Sequence, residues 1–206
     1  MFEIELKSNE LKTDVYLKLN KDENTPLYDE DLNEIEVVHL NALDFLDEPT
    51  DVEICDLVFF KNLKNCYLSN MYIKDEDLEI LNSIKSLESL QLNNCSFSNN
   101  KKMNLNLLRL IVNKCKDIKF KIFDNMITLE SVRIVNCDNV ELTGISKLSN
   151  LKKLYLQNLE LDQIDEVKEL KELEYLNLNG SKIKNLINLN NNKLEIEHNE
   201  KNFLYD

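Results

Sequence analysis

The chain has 206 residues, 43% of them hydrophobic, and a formal net charge of -13, which suits one elongated domain with a continuous core. No stretch approaches the roughly eighteen apolar residues of a membrane span, and Met1-Phe2-Glu3-Ile4-Glu5-Leu6 lacks the basic and apolar regions of a secretory signal. The charge repels nucleic acid and anionic lipid and attracts basic partners, and five cysteines without a Cys-x-x-Cys pair fit free thiols in a reducing compartment, so the expected location is the cytoplasm.

Residues 1–31 read as an N-terminal β-hairpin cap. Phe2, Ile4 and Leu6 alternate with polar residues, as do Val15, Leu17 and Leu19, and Ser8 to Asp14 connect the two runs. From residue 32 to 206 one frame recurs. Its first core leucine falls at Leu63, Leu87, Leu107, Leu129, Leu151 and Leu173, a period of about twenty-two residues that marks a stacked repeat. The frame fills as Leu63, Cys66, Leu68, Met71; Leu87, Leu90, Leu92, Cys95; Leu107, Leu110, Val112, Cys115; and Leu129, Val132, Ile134, Cys137.

A weaker copy, Leu32, Ile35, Val37 and Leu40, precedes these, and a degenerate one follows with Asn191, Leu194, Ile196 and Asn199. Terminal copies must close the core against water, so they match the interior units only in part. Within each unit the alternating segment predicts a short strand with its aliphatic residues inward, and successive strands stack in parallel. The return path through Leu78, Leu81, Ile84 and Leu87 follows the acidic run Asp75, Glu76, Asp77 and predicts a short helix. The tighter Leu161, Ile164, Val167 and Leu170 predict a single helical or 3₁₀ turn. Phe203, Leu204 and Tyr205 are expected to fold back over the last strand.

In the frame Leu-x-x-Leu-x-x-Leu-x-Leu-x-x-Asn-x-Ile-x-x-Ile/Leu, residues Leu148 to Leu186 resemble the short leucine-rich repeats of bacterial internalins and of a phosphatase regulatory subunit, and weaker copies extend the resemblance over roughly residues 32 to 200. The resemblance implies an α/β leucine-rich repeat solenoid, a curved horseshoe with a parallel β-sheet on its concave face and short helices or 3₁₀ turns on its convex face. It also implies that the concave face binds protein. One departure stands out. Where the family carries Asn at the end of each strand, this chain has Met71, Cys95, Cys115, Cys137, Leu159, Ser181 and Asn199. A thiol can make a weak hydrogen bond to a neighbouring turn and suits a buried corner, whereas Met71 and Leu159 carry no donor and should loosen the ladder there.

Chemistry-bearing patterns are sparse. The cysteine column has no histidine beside it and reads as inert packing rather than a metal or redox site. His39 and His198, placed at the same late-strand position of the first and last copies, lie too far apart to share a proton. Gly144 and Gly180 are the only glycines, too few for a nucleotide loop, so no cofactor, metal site or enzymatic activity is expected.

The outward residues of the strands carry the site. A water-facing sheet needs only small polar residues, yet Tyr67, Gln91, Ile111, Arg133, Tyr155 and Asn177 form its central column. Arg109, Lys153 and Tyr175 flank it on one side, Val135 and Gln157 on the other. Aromatic and arginine residues are common interface anchors, and Arg109 and Arg133 are the only arginines in the chain. The expected binding residues are therefore Tyr67, Arg109, Ile111, Arg133, Val135, Lys153, Tyr155 and Tyr175. A bland alternative is that Tyr155 and Tyr175 only stack across neighbouring strands, and Ile111 and Val135 likewise. The functional reading is a non-enzymatic module that binds a protein partner, refined as an inhibitor or immunity protein of a basic one such as a toxin nuclease. Its alternative is a regulatory module whose Arg133 assists phosphoryl transfer in a GTPase or similar enzyme.

Overall fold

The computed structural model describes residues 2–42, 53–97, 102–123, 125–185, 189 and 194–199. Its first elements are β1 (Glu3–Ile4), α1 (Asn9–Leu19), β2 (Leu27–Tyr28), α2 (Asp29–Leu32), β3 (Val37–Asn41), β4 (Asn65–Ser69), β5 (Tyr72–Ile73) and α3 (Asp75–Ser83). There follow β6 (Ser89–Asn93), β7 (Ser96–Phe97), β8 (Arg109–Asn113), β9 (Ser131–Val135), β10 (Lys153–Gln157), β11 (Glu160–Gln163), β12 (Tyr175–Asn177), β13 (Lys182–Asn185) and β14 (Glu195–Glu197). Short 3₁₀ helices lie at Ile54–Phe59, Phe120–Ile122, Ile145–Lys147 and Asp165–Glu169.

Eight strands form one sheet in the order β14-β12-β10-β9-β8-β6-β4-β3, and every pairing within it is parallel. The alternation of each strand fixes which face is buried. Cys66, Leu68, Leu90, Leu92, Leu110, Val112, Val132, Ile134, Leu154 and Leu156 point inward, none more than 1% exposed. Register is held at the strand entrances as well. The Leu108 carbonyl accepts the N–H groups of both Glu130 and Ser131 at 3.0 and 3.1 Å, and the Glu130 carbonyl accepts those of Lys152 and Lys153 at 2.9 and 3.0 Å. Each repeat thus satisfies the backbone of its neighbour, so stability resides largely in the interfaces between copies.

The return paths follow the sequence spacing. Residues 75–83 are helical, and the Asp77 carboxylate accepts the Lys74 N–H at 2.9 Å to close the helix start. The Leu161 to Leu170 return holds the 3₁₀ turn Asp165–Glu169, preceded by β11, which pairs in parallel with β13. Glu160–Lys182 and Asp162–Lys184 ion pairs bridge these two strands at 3.2 and 2.7 Å.

The beginning of the chain departs from a simple hairpin. Val15, Leu17 and Leu19 lie in α1, and the partner of β1 is β2, antiparallel through Glu3↔Tyr28 and Ile4↔Leu27. Ser8 caps the helix by accepting the Leu11 N–H at 3.3 Å, and Asn20 ends it in a left-handed conformation with φ 50°. Leu11 and Val15, four residues apart, are buried together, whereas Leu17 is 75% exposed; the helical period, not the alternation, governs this segment.

Both end copies are also framed differently. In β3 the residue aligned with Cys66 is Val38, not Ile35, and the one aligned with Leu68 is Leu40, not Val37, and Val38 and Leu40 are the buried pair. In β14 Ile196 aligns with Leu176, not with Leu178. His39 therefore stands in the outward column beside Tyr67, while His198 follows the last strand, so the two histidines do not share a position. Asn191 and the fold-back residues Phe203, Leu204 and Tyr205 lie outside the described residues.

Candidate functional site

The family asparagine has working substitutes in this chain. The Ser181 hydroxyl donates to the Leu156 carbonyl at 2.7 Å and accepts the Leu159 N–H at 3.0 Å. Cys115 repeats the pattern with sulfur, accepting the Cys95 N–H at 3.2 Å and donating to the Leu92 carbonyl at 3.8 Å. Burial pushes the Cys66 thiol up to about 12. Hydrogen bonds with Cys137 and Cys95, then burial, also raise Cys115. These thiols are structural packing groups.

A second ladder runs along the rim one residue earlier. Asn70, Asn94, Asn136 and Asn158 adopt φ between 51° and 57°, the left-handed region that Asn tolerates. Asn94 donates its side-chain amide to Asn70 Oδ1 at 2.7 Å and Asn158 to Asn136 Oδ1 at 2.9 Å. An Asn or Gly recurring immediately before the ladder position is the sequence signal for it.

These two ladders and the buried rungs hold the outward columns in fixed register. Arg109, Ser131, Lys153 and Tyr175 align across β8, β9, β10 and β12, as do Ile111, Arg133, Tyr155 and Asn177. Val135 and Gln157 stand opposite each other on the third column. All eight expected residues thus occupy the outward positions of the sheet, but only some meet. The Arg133 guanidinium lies 5.6 Å from the Tyr155 ring centre and donates to Gln157 Oε1 at 2.9 Å. The Tyr155 and Tyr175 rings are tilted by 50° with centres 5.2 Å apart.

Sequence reading missed the group that completes this cluster. Glu197 on β14 accepts from the Tyr175 hydroxyl, from Asn177 Nδ2 at 2.7 Å and from Asn179 Nδ2 at 2.7 Å. The hydrogen bonds donated by the Tyr175 hydroxyl and by Asn179 hold the Glu197 carboxyl below its ordinary range, and the bond from Tyr175 raises its own phenol. With the last copy framed two residues away, Glu197 could not be placed beside Tyr175. Tyr67 belongs to a separate cluster, stacked on His39 with ring centres 4.4 Å apart and an interplanar angle of 15°. Ile111 is half-buried between Gln91 and Arg133 in the strand order.

Among the described residues no three His, Cys, Asp or Glu side chains gather to hold a metal ion, and no helix is long and apolar enough to cross a membrane. The arrangement offers contact chemistry: a cation laid on an aromatic ring, tyrosine faces, amides, and one carboxylate already occupied by three donors.

No family model matches the chain, and no curated protein matches it by sequence. In three dimensions it is similar to internalin C2 from Listeria monocytogenes, at 17% identity over 93% of this chain and 93% of that one, with a TM-score of 0.59. It is also similar to a secreted internalin-like protein of the same organism, at 14% identity over 96% of this chain and 67% of that one, with a TM-score of 0.48. In fold the chain is an internalin-type leucine-rich repeat solenoid, a curved horseshoe with its parallel sheet on the concave side.

Proposed function

We propose that this chain is a non-enzymatic module that binds a protein partner on its concave sheet. The observation that carries the reading is the Arg133–Tyr155–Tyr175 cluster, assembled by cross-strand register on a face where small polar residues would satisfy water. Its side chains are already ordered by one another, which lowers the entropy cost of docking. Five free cysteines, four of them buried, support a reducing compartment such as the cytoplasm. A body charge of -13 supports the finer reading of an inhibitor or immunity partner steered toward a basic protein, although the docking face itself carries the opposite sign. An arginine donated to a GTPase draws less support, because Arg133 rests on Tyr155 and bonds Gln157 rather than extending from the sheet.

The test is capture of a partner from native cytosol by the full chain, followed by titration of that partner against Tyr155→Ala and Arg133→Ala. Each substitution should weaken binding by about 2 kcal/mol or more while thermal unfolding stays unchanged. Unchanged affinity in both variants would refute the assignment.

A further inference from the structure

We infer that the concave sheet takes an extended acidic segment of its partner, seated over β8, β9 and β10. This rests on the sheet being the docking face and adds the chemistry of its occupant. The chain has 38 acidic residues against 25 Lys and Arg, and many of its lysines are held in ion pairs, among them Lys18, Lys21, Lys64, Lys152, Lys182 and Lys184. Arg109, Arg133 and Lys153 stand in none among the described residues, and all three are exposed on this face. In the eight-stranded sheet the outward positions of β3, β4, β6, β8, β9, β10 and β12 carry no carboxylate; Glu88, Glu130 and Glu174 stand exposed one residue before β6, β9 and β12, Glu130 paired with Lys152, and of Glu195 and Glu197 on β14 the latter is already taken by Tyr175, Asn177 and Asn179.

Distance decides which charges matter in contact. At physiological salt, interactions between exposed charges are largely screened beyond about 8 Å, so the acidic body steers approach while the three local cations set what can rest on the sheet. Arg109 and Lys153 share one column two strands apart, about 9.6 Å at the usual strand spacing. An extended segment crossing the strands advances about 3.3 Å per residue with its side chains on alternate faces, so carboxylates at positions i and i+2 face the sheet together about 6.6 Å apart, a separation onto which the long side chains of Arg109 and Lys153 can converge, and Arg133 lies on the strand between. Farther along the same path are Tyr155 and Tyr175, which suit an apolar or aromatic residue. The carboxylates of β14 then repel any continued acidic run, which fixes the direction of the segment. A nucleic acid strand fits less well, because its regular phosphates would continue onto that acidic edge and into the field of the body.

The experiment is selection of a displayed library of random twelve-residue peptides on the immobilised full chain at physiological salt, followed by titration of the synthetic winners. Asp and Glu should be enriched over the starting library, most at positions two apart. Binding of a winner should fall about 30-fold or more in the Arg109→Gln, Arg133→Gln, Lys153→Gln variant, and should weaken as salt is raised on the unaltered chain. Enrichment of Lys and Arg, no enrichment at all, or tighter binding of a twelve-nucleotide single strand than of any winner would overturn the inference. Acid-free peptides lost on Tyr155→Ala would sink the acidic occupant and leave the docking face standing. Acidic winners indifferent to all four substitutions would sink both.

Discussion

Replacing Asp56 with alanine should detach the N-terminal cap, because this carboxylate is the buried clamp between cap and solenoid. It lies in the 3₁₀ turn Ile54–Phe59, is 1% exposed, and accepts the N–H groups of Lys7 and Ser8 through one oxygen at 2.7 and 2.9 Å. Ser8 in turn caps α1, and Lys18 of α1 donates to the Val37 carbonyl at 2.9 Å, so the loss propagates to the edge of β3. A hydrogen bond to a charged group contributes about 1.5–3 kcal/mol, and an unmatched buried donor costs about 1–3 kcal/mol. The Ser8 N–H would be left without a partner, while the part-buried Lys7 N–H regains some water, and removal of a buried charge returns some desolvation energy. The net expectation is a loss of about 3 kcal/mol, or about 6–12 °C in Tm for a chain of this size. Asp56→Asn keeps an acceptor oxygen and should lose about half as much. Thermal unfolding by circular dichroism gives the total, and hydrogen exchange at the Lys7 and Ser8 amides shows where it is spent. An Asp56→Ala chain that melts within 1 °C of the original, with those amides still protected, would refute the clamp.

Gly180→Ala should destabilise by about 1–2 kcal/mol from its left-handed φ of 75° alone. An added Cβ would also sit 1.8 Å from Asn158 Oδ1, so adding Asn158→Ala should recover the steric part of the loss and leave the backbone part, as read from urea midpoints. Ser181→Ala strips the partner from the Leu159 N–H and the Leu156 carbonyl and should cost about 2 kcal/mol, whereas Ser181→Cys, which reproduces the residue at Cys95, Cys115 and Cys137, should cost less than half of that in the same melt. Burial alone would raise the Glu166 pKa, but hydrogen bonds from the Ser146 hydroxyl and from the Gly144 and Ser146 N–H groups, with Lys147 nearby, outweigh it and hold the value below the ordinary 4.5. Its stabilising contribution is therefore complete above pH 4.5 and lost as pH falls through the lowered value; Glu166→Gln should flatten that part of the stability profile, and an unchanged acid limb would contradict it.

The columns of the concave sheet were legible because two periods agree there. Alternation within a strand decides the face, and the repeat step decides the neighbour, so Arg133 opposite Tyr155 and Lys153 opposite Tyr175 follow from spacing alone. The end copies lack a framed neighbour on one side. Ile35, Val37, Val38 and Leu40 are all apolar, which leaves the frame of β3 open to a three-residue shift, and a two-residue slip of β14 preserves its alternation completely. That slip hid Glu197, the group that bonds Tyr175. The cap was obscure for a different reason: Val15, Leu17 and Leu19 alternate as a strand would, while Leu11 and Val15 fit a helix, and the contacts that settle the matter come from Asp56, far along the chain.

The interior rungs and the outward anchors are consequently legible to different degrees. A rung is constrained by the two copies that sandwich it, so its position can be read from any one of them. An outward side chain is constrained only by what lies beside it. Arg133 is defined by Tyr155 and Gln157 in the next strand and Tyr175 by Glu197 two strands beyond Tyr155, while Arg109 and Lys153, with no ion-pair partner among the described residues, are left for a second molecule to define. The proposed docking chemistry is thus concentrated where the repeat constrains the side chain least, which is also where a leucine-rich repeat can change partner without changing fold.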